Sequence, residues 1–425
     1  MVGFVILQPS TSLQVFVPYE LSERILQYCR VDFKCLASSA LVCRSWAYAS
    51  RSCLFEKLTF RPELAQRFMG LISPIAKATL HTPPASTYCR TLHIRNMQAT
   101  NTFCPFSDGD SSALLNHPLQ PLFSTLTTLA FSHSTFPPIE KFMIFLSHFP
   151  TLLSLSLDDV HWDKQHPPSQ TTIPPGSKLP SITSLDVRNV NWSQFFNCIN
   201  NAQLLMNVTR LHVGPVDEWD IPPVSQYLFN VSPNLEYFSL RFKNRGWRKG
   251  YVCGMAPVVA TYPVDFIAVE SAINSGPVPL DSTLPGNGVR EEYRRIWGLA
   301  TSVYPIPKLK DVRIEQFVDT RFGVVQPTAI FWAPRVIASI IPPSIQRLEL
   351  TLMLERAGQL DQYEINWKFL EYALCADDYK SLKRLVFRVG GPVDLVNLGD
   401  LISARLPIMA ERGMLEFCRM EVDAN

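Results

Sequence analysis

The chain has 425 residues and a formal net charge of +2, with only 18% charged side chains against 47% hydrophobic ones. An average soluble domain carries about 25% charged residues. The balance excludes the low-hydrophobicity, high-charge signature of a disordered chain, and it provides no field that would make nucleic acid or an anionic membrane the default partner. No apolar run approaches the roughly 20 residues that span a bilayer, and the apolar stretch Gly3 to Leu7 lacks the basic flank and the length of a signal peptide. A soluble intracellular protein is predicted, cytoplasmic and/or nuclear, with no membrane partner. Its length favours two units or an elongated array over one core. The ten cysteines show no CxxC pair and no zinc spacing, so they read as reduced, mostly buried small hydrophobes.

Residues 15–60 predict three short helices. Pro18 suits a first helical position and Glu20 complements the helix dipole. Leu21, Ile25 and Cys29 then line one face, with Leu26 adjoining. Asp32 is placed to cap a second helix over Leu36, and a third runs through Leu41, Val42, Cys43, Trp46 and Ala49. So short a module has a marginal core and more apolar positions than one small interior hides, which predicts an exposed docking face. Val17, Pro18, Tyr19, Glu20 and Leu21, then Ile25 and Leu26, then Val42 to Trp46 (VCRSW), then Leu54 and Phe55, follow one another in the order and spacing of the F-box motif. The segment resembles the F-box family, with Val17 where leucine is commonest. The resemblance implies docking to a Skp-type adaptor on the cullin scaffold of a ubiquitin ligase. Pro18, Leu21, Ile25, Leu26, Leu36, Val42, Cys43 and Trp46 would serve as docking or module-core positions. The sequence does not separate those two roles.

After a connecting segment at 61–85, the chain repeats itself. LSLDDVHW at Leu155 to Trp162 returns 30 residues later as LDVRNVNW at Leu185 to Trp192. The wider pattern LxxLxΦ, with Φ apolar, begins at Leu126, Leu152, Ile182, Val208, Leu235, Leu309, Ile345 and Leu382, with a weaker copy, CRTLHI, at Cys89. The first four intervals are 26, 30, 26 and 27 residues, near the period of a unit with one strand and one helix. Helical stripes stand ahead of several copies: Phe142, Phe145, Leu146 and Phe149; Phe195, Cys198, Ile199 and Ala202; Val224, Tyr227, Leu228 and Val231; and Ala333, Val336, Ile337 and Ile340. No unit can bury both faces alone, so the units must stack.

This pattern resembles the leucine-rich-repeat family and implies an α/β repeat fold: an irregular solenoid over 86–425 with parallel strands on one face and helices on the other. The family's turn asparagine is replaced here by Val160, Val190 and Val216, so the turns must be closed by other means. Residues 241–308 hold no clear copy, seven glycines and seven prolines, and read as an insertion with a helical stretch near Val289 to Tyr304. Leu406 to Met420 is expected to close the array as a strand.

In each strand the positions between the apolar ones project from the opposite face. Arg188, Arg210, His212, Tyr237, Arg241, Arg313, Arg347, Arg384 and Arg388 are the candidate substrate contacts. Such a face suits a carboxylate or phosphorylated peptide, although five acids on the same rows partly offset the seven arginines and leave open an ordinary solvated face. The basic run Arg241, Lys243, Arg245, Arg248 and Lys249, with Phe242 and Trp247, reads as a surface loop; nucleic acid is not an expected partner. His161, Asp163 and His166 are metal-ligand types without a third-ligand spacing beyond the loop. No Walker loop, HExxH, GxSxG or dinucleotide fingerprint occurs. No metal, cofactor or catalytic residue is predicted. The expected role is a non-catalytic substrate receptor of a Skp-cullin-F-box ubiquitin ligase. The alternative is a repeat scaffold whose N-terminal helices only cap the solenoid.

Overall fold

The computed structural model describes residues 17–72, 84–98, 119–136, 139–162, 180–201, 205, 207–216, 220–242, 306–320, 344–362, 365, 367–375 and 380–420. Among them, eleven parallel strands form one sheet in strictly sequential order. They are β1 Lys57–Phe60, β2 Thr91–Arg95, β3 Thr128–Phe136, β4 Ser154–Trp162, β5 Ser184–Arg188, β6 Arg210–Val216, β7 Tyr237–Phe242, β8 Asp311–Asp319, β9 Arg347–Met353, β10 Arg384–Gly390 and β11 Leu415–Arg419. Each copy of LxxLxΦ, CRTLHI included, supplies one strand from β2 to β10.

The reason is the register. The second apolar position of every copy falls in one row, Leu92, Leu129, Leu155, Leu185, Leu211, Phe238, Val312, Leu348 and Leu385, and all are buried. The helices Ile139–Leu146, Trp192–Asn201 and Ile221–Val231 stand where three of the predicted stripes lie. They add aromatic rings to the same core: Phe142 meets Phe131 edge-on at 5.5 Å, Phe195 stacks on Trp162 at 5.6 Å, and Phe196 lies 4.8 Å from Tyr227. Each unit thus covers its neighbour's apolar row, which no unit could do alone.

The missing turn asparagines are replaced by a different device. Val160, Val190 and Val216 are core residues. The chain bends one position earlier, through Asp159 and Asn189, both with positive φ; Asn96 does the same just after β2, and His133 and Gln316 within β3 and β8. Short polar side chains tolerate this left-handed conformation best. They also bond to the adjacent strand: His133 Nδ1 to Asp159 Oδ2 at 2.8 Å, and Asn189 Nδ2 to Asp158 Oδ1 at 3.0 Å.

The N-terminal helices are α1 Tyr19–Tyr28, α2 Phe33–Ser39 and α3 Arg44–Phe55. Two expectations are corrected there. Pro18 is the residue before the helix, its carbonyl accepting from Leu21 and Ser22 N–H at 3.1 Å, and α3 begins at Arg44, leaving Leu41 and Val42 in the preceding turn. The tail of the predicted module becomes β1, the first rung of the sheet. At the other end, the segment expected as one closing strand divides into the helix Pro407–Glu411 and β11, because Glu371 caps that helix by accepting from Ile408 N–H at 2.7 Å. The stripe Ala333 to Ile340, residues 243–305 of the predicted insertion and the basic run beyond Phe242 lie outside the described residues.

Candidate functional site

Two surfaces gather the predicted residues. On the first, the three N-terminal helices share a core of only Leu26, Leu36 and Ala49, backed by Cys29, Trp46, Cys53 and Leu54. Asp32 Oδ1 caps α2 by accepting from Lys34 and Cys35 N–H at 3.0 Å. Phe55 at the end of α3 packs against the sheet core, and Arg30 pairs with Glu56.

So small an interior leaves apolar side chains outside. Leu21 is 51% exposed, Ile25 46%, Tyr28 90%, Val31 90%, Phe33 66%, Leu41 87% and Val42 67%. The eight predicted positions therefore divide. Leu26 and Leu36 are core and the half-buried Trp46 packs on them, whereas Pro18, Leu21, Ile25, Val42 and Cys43 are exposed. Tyr28, Val31, Phe33 and Leu41 were missed as surface residues, since an apolar residue in a helical pattern reads as core until its neighbours are known. Cys43 precedes α3, where the Ser45 hydroxyl, at 3.2 Å, and then the backbone N–H groups of Trp46 and Ser45 lower its thiol pKa.

The second surface is the sheet face opposite the helices. The predicted side chains do line it, but most of their charge is taken up within the sheet. Arg188 Nε donates to Asp186 at 2.9 Å, and Arg241 Nε donates to Gln316 Oε1 at 2.7 Å. The buried Glu349 carboxylate draws three guanidinium groups: Arg313 at 3.1 Å, Arg347 at 3.0 Å and Arg388 at 2.9 Å. Among the described residues Arg384 reaches only Glu416, at 3.7 Å, with both side chains open to water. The exposed Arg210 lies over the Tyr237 ring, 4.9 Å from its centroid.

His212 sits between Asp186 and Ser239 in register, its ring 4.9 Å from that of Tyr237. Burial holds its pKa below the ordinary imidazole value, against the opposing pull of Asp186 and Glu315. The hollow beside it, between Arg188, Gly214, Arg241 and Glu315, has a volume of about 10 Å³, room for a single water molecule. A larger depression of about 300 Å³ opens over β2 to β5, lined by His93, Arg95, Ser132, His133, Asp158 and Arg188 among others. His93 and Arg95 were not anticipated, because their strand was the weakest copy of the repeat.

Among the described residues, no group of three or more His, Cys, Asp or Glu is arranged to hold a metal ion. His161 Nε2 pairs with Asp159 at 3.1 Å; Asp163 and His166 lie outside those residues. No described helix is long and apolar enough to cross a membrane. The architecture is that of a parallel α/β sheet protein with three helices near the N-terminus. No protein-family model matches the chain, and no curated protein matches it.

Proposed function

We propose that the chain is a substrate-recognition adaptor of a Skp-cullin-F-box ubiquitin ligase. Residues 15–60 dock to a Skp-type subunit, and the sheet, read as an irregular leucine-rich-repeat solenoid, holds a protein substrate. One observation carries this reading: the module whose motif order resembles the F-box keeps seven large apolar side chains in water while its own core is closed. Monomeric proteins rarely leave such a cluster open unless it is an interaction site. The alternative, helices that only cap the sheet, requires those side chains to be buried against the first strands, and their exposure favours the adaptor.

The mechanism is proximity. A substrate held beside a ubiquitin-loaded enzyme reacts at a raised effective concentration, and the adaptor itself supplies no chemistry. Co-expression with a Skp-type subunit followed by affinity purification should yield a stable complex that survives size-exclusion chromatography. A folded chain that elutes alone would refute the proposal.

A further inference from the structure

The open face of the sheet is electrically uneven. Over β4 and β5 Arg188 stands across from Asp158 and pairs with Asp186, and around Glu349 the charges close on themselves. At the starts of β9 and β10 they do not. Arg347 and Arg384 stand directly across from each other in register, an arrangement of like charges that weakens a sheet where nothing offsets it. Arg347 has Asp311 on its other side and leans on Glu349, but among the described residues Arg384 has only its distant, solvent-exposed contact with Glu416. Pairs of that kind contribute little.

The backbone places two more cations beside them. Gln346 N–H donates to the Lys310 carbonyl at 2.8 Å, and Lys383 N–H donates to the Gln346 carbonyl at 2.9 Å. Lys310 and Lys383 therefore sit at equivalent positions two strands apart, just ahead of the arginine row. Both are exposed, and among the described residues neither is in an ion pair.

We propose that Lys310, Arg347, Lys383 and Arg384 form a binding surface for an acidic segment of a partner protein. Four cations lie within two strand spacings, about 10 Å. In an extended peptide, side chains on one face recur about every 6.6 Å, so the patch accommodates two or three carboxylates. The Arg384 guanidinium can hold one through paired hydrogen bonds and the lysines hold others as point charges, while Arg347, already paired with Glu349, adds only to the local field. A nucleic-acid strand fits less well. It needs a long run of phosphate contacts, whereas this patch is short and is bordered by Asp311 and Glu416 across the strands and by Glu315 and Glu349 along them.

Under the receptor reading the patch defines the substrate class, and it rests on that reading only for the role of the bound segment. The test uses the full chain without any adaptor, so its failure and a failure to bind the Skp-type subunit are separate results. Fluorescence anisotropy of labelled hexaglutamate should show binding that weakens strongly as salt rises from about 50 to about 300 mM. The double substitution Lys383→Glu with Arg384→Glu should lower affinity at least about tenfold. Lys310→Glu, two strands away, should lower it about threefold or more, with Lys57→Glu on β1 as an unchanged control. Circular dichroism checks that each variant is folded. An affinity that stays within twofold in both patch variants would overturn the proposal, as would equal or tighter binding of a labelled oligothymidine of six nucleotides.

Discussion

Replacing Leu41 and Val42 together by alanine tests the proposed docking face directly. Leu→Ala removes three carbons and Val→Ala two, each contributing roughly 0.8 kcal/mol when moved from water into an interface. Scaled by exposures of 87% and 67% in the unbound chain, the loss on docking comes to about 3 kcal/mol, on the order of 100-fold in affinity. The fold should be almost indifferent. Both residues lie in the turn before α3, where surface substitutions shift stability by less than about 0.5 kcal/mol. Leu36→Ala is the contrasting variant: its side chain is fully buried, so it should destabilise the module by about 2 to 5 kcal/mol. Isothermal titration with a purified Skp-type subunit measures the first effect and urea unfolding the second. A double variant that is folded and binds within threefold of the parent would refute the reasoning, because two of the exposed apolar side chains assigned to the docking face would then have no part in it.

Glu349→Gln should destabilise the sheet by about 2 to 3 kcal/mol, since three arginines would lose their shared carboxylate; an unchanged urea midpoint would show the network to be idle. His212 and His93 are both held below the ordinary imidazole pKa, each chiefly by burial. In the window between those lowered values and about pH 6.5 the unfolded chain binds more protons, so stability is full above about 6.5 and falls as pH drops through the window. His212→Gln should flatten that fall between about pH 7.5 and about pH 5.5, and equal slopes in parent and variant would contradict it. Among the described cysteines, thiol labelling followed by mass spectrometry should find Cys43 modified first and Cys89 last. Ser45 and the start of α3 lower the Cys43 pKa, whereas burial pushes the Cys89 thiol up to about 12. Early modification of Cys89 would mean that β2 opens readily.

Much of the fold could be read from the chain because its rule is local. LxxLxΦ names its own strand, and the stripe ahead of three copies names the helix that covers it. The turns were legible only as a gap. The valines at 160, 190 and 216 announced that the usual asparagine was absent, but the left-handed residues that take over, Asp159 and Asn189 among them, look like ordinary polar positions in the sequence. β1 escaped notice because four residues carry too little pattern to separate from the end of a helical module.

The surfaces divide along the same line. By itself the sequence determined which side chains face away from the helices, since alternation along a strand depends on nothing beyond the strand. It likewise determined that the N-terminal module has more apolar residues than it can enclose. Only the tertiary structure decided that Leu26 goes inside while Leu21 and Ile25 stay out, because that choice rests on where α3 presses. It also decided which arginines are already neutralised. Arg388 and Glu349 lie 39 residues apart in the chain and meet only when β9 and β10 pair in register. Charge interactions act over a few ångströms, so a list of arginines along the sequence becomes a recognition surface only where neighbouring strands leave their charge unspent.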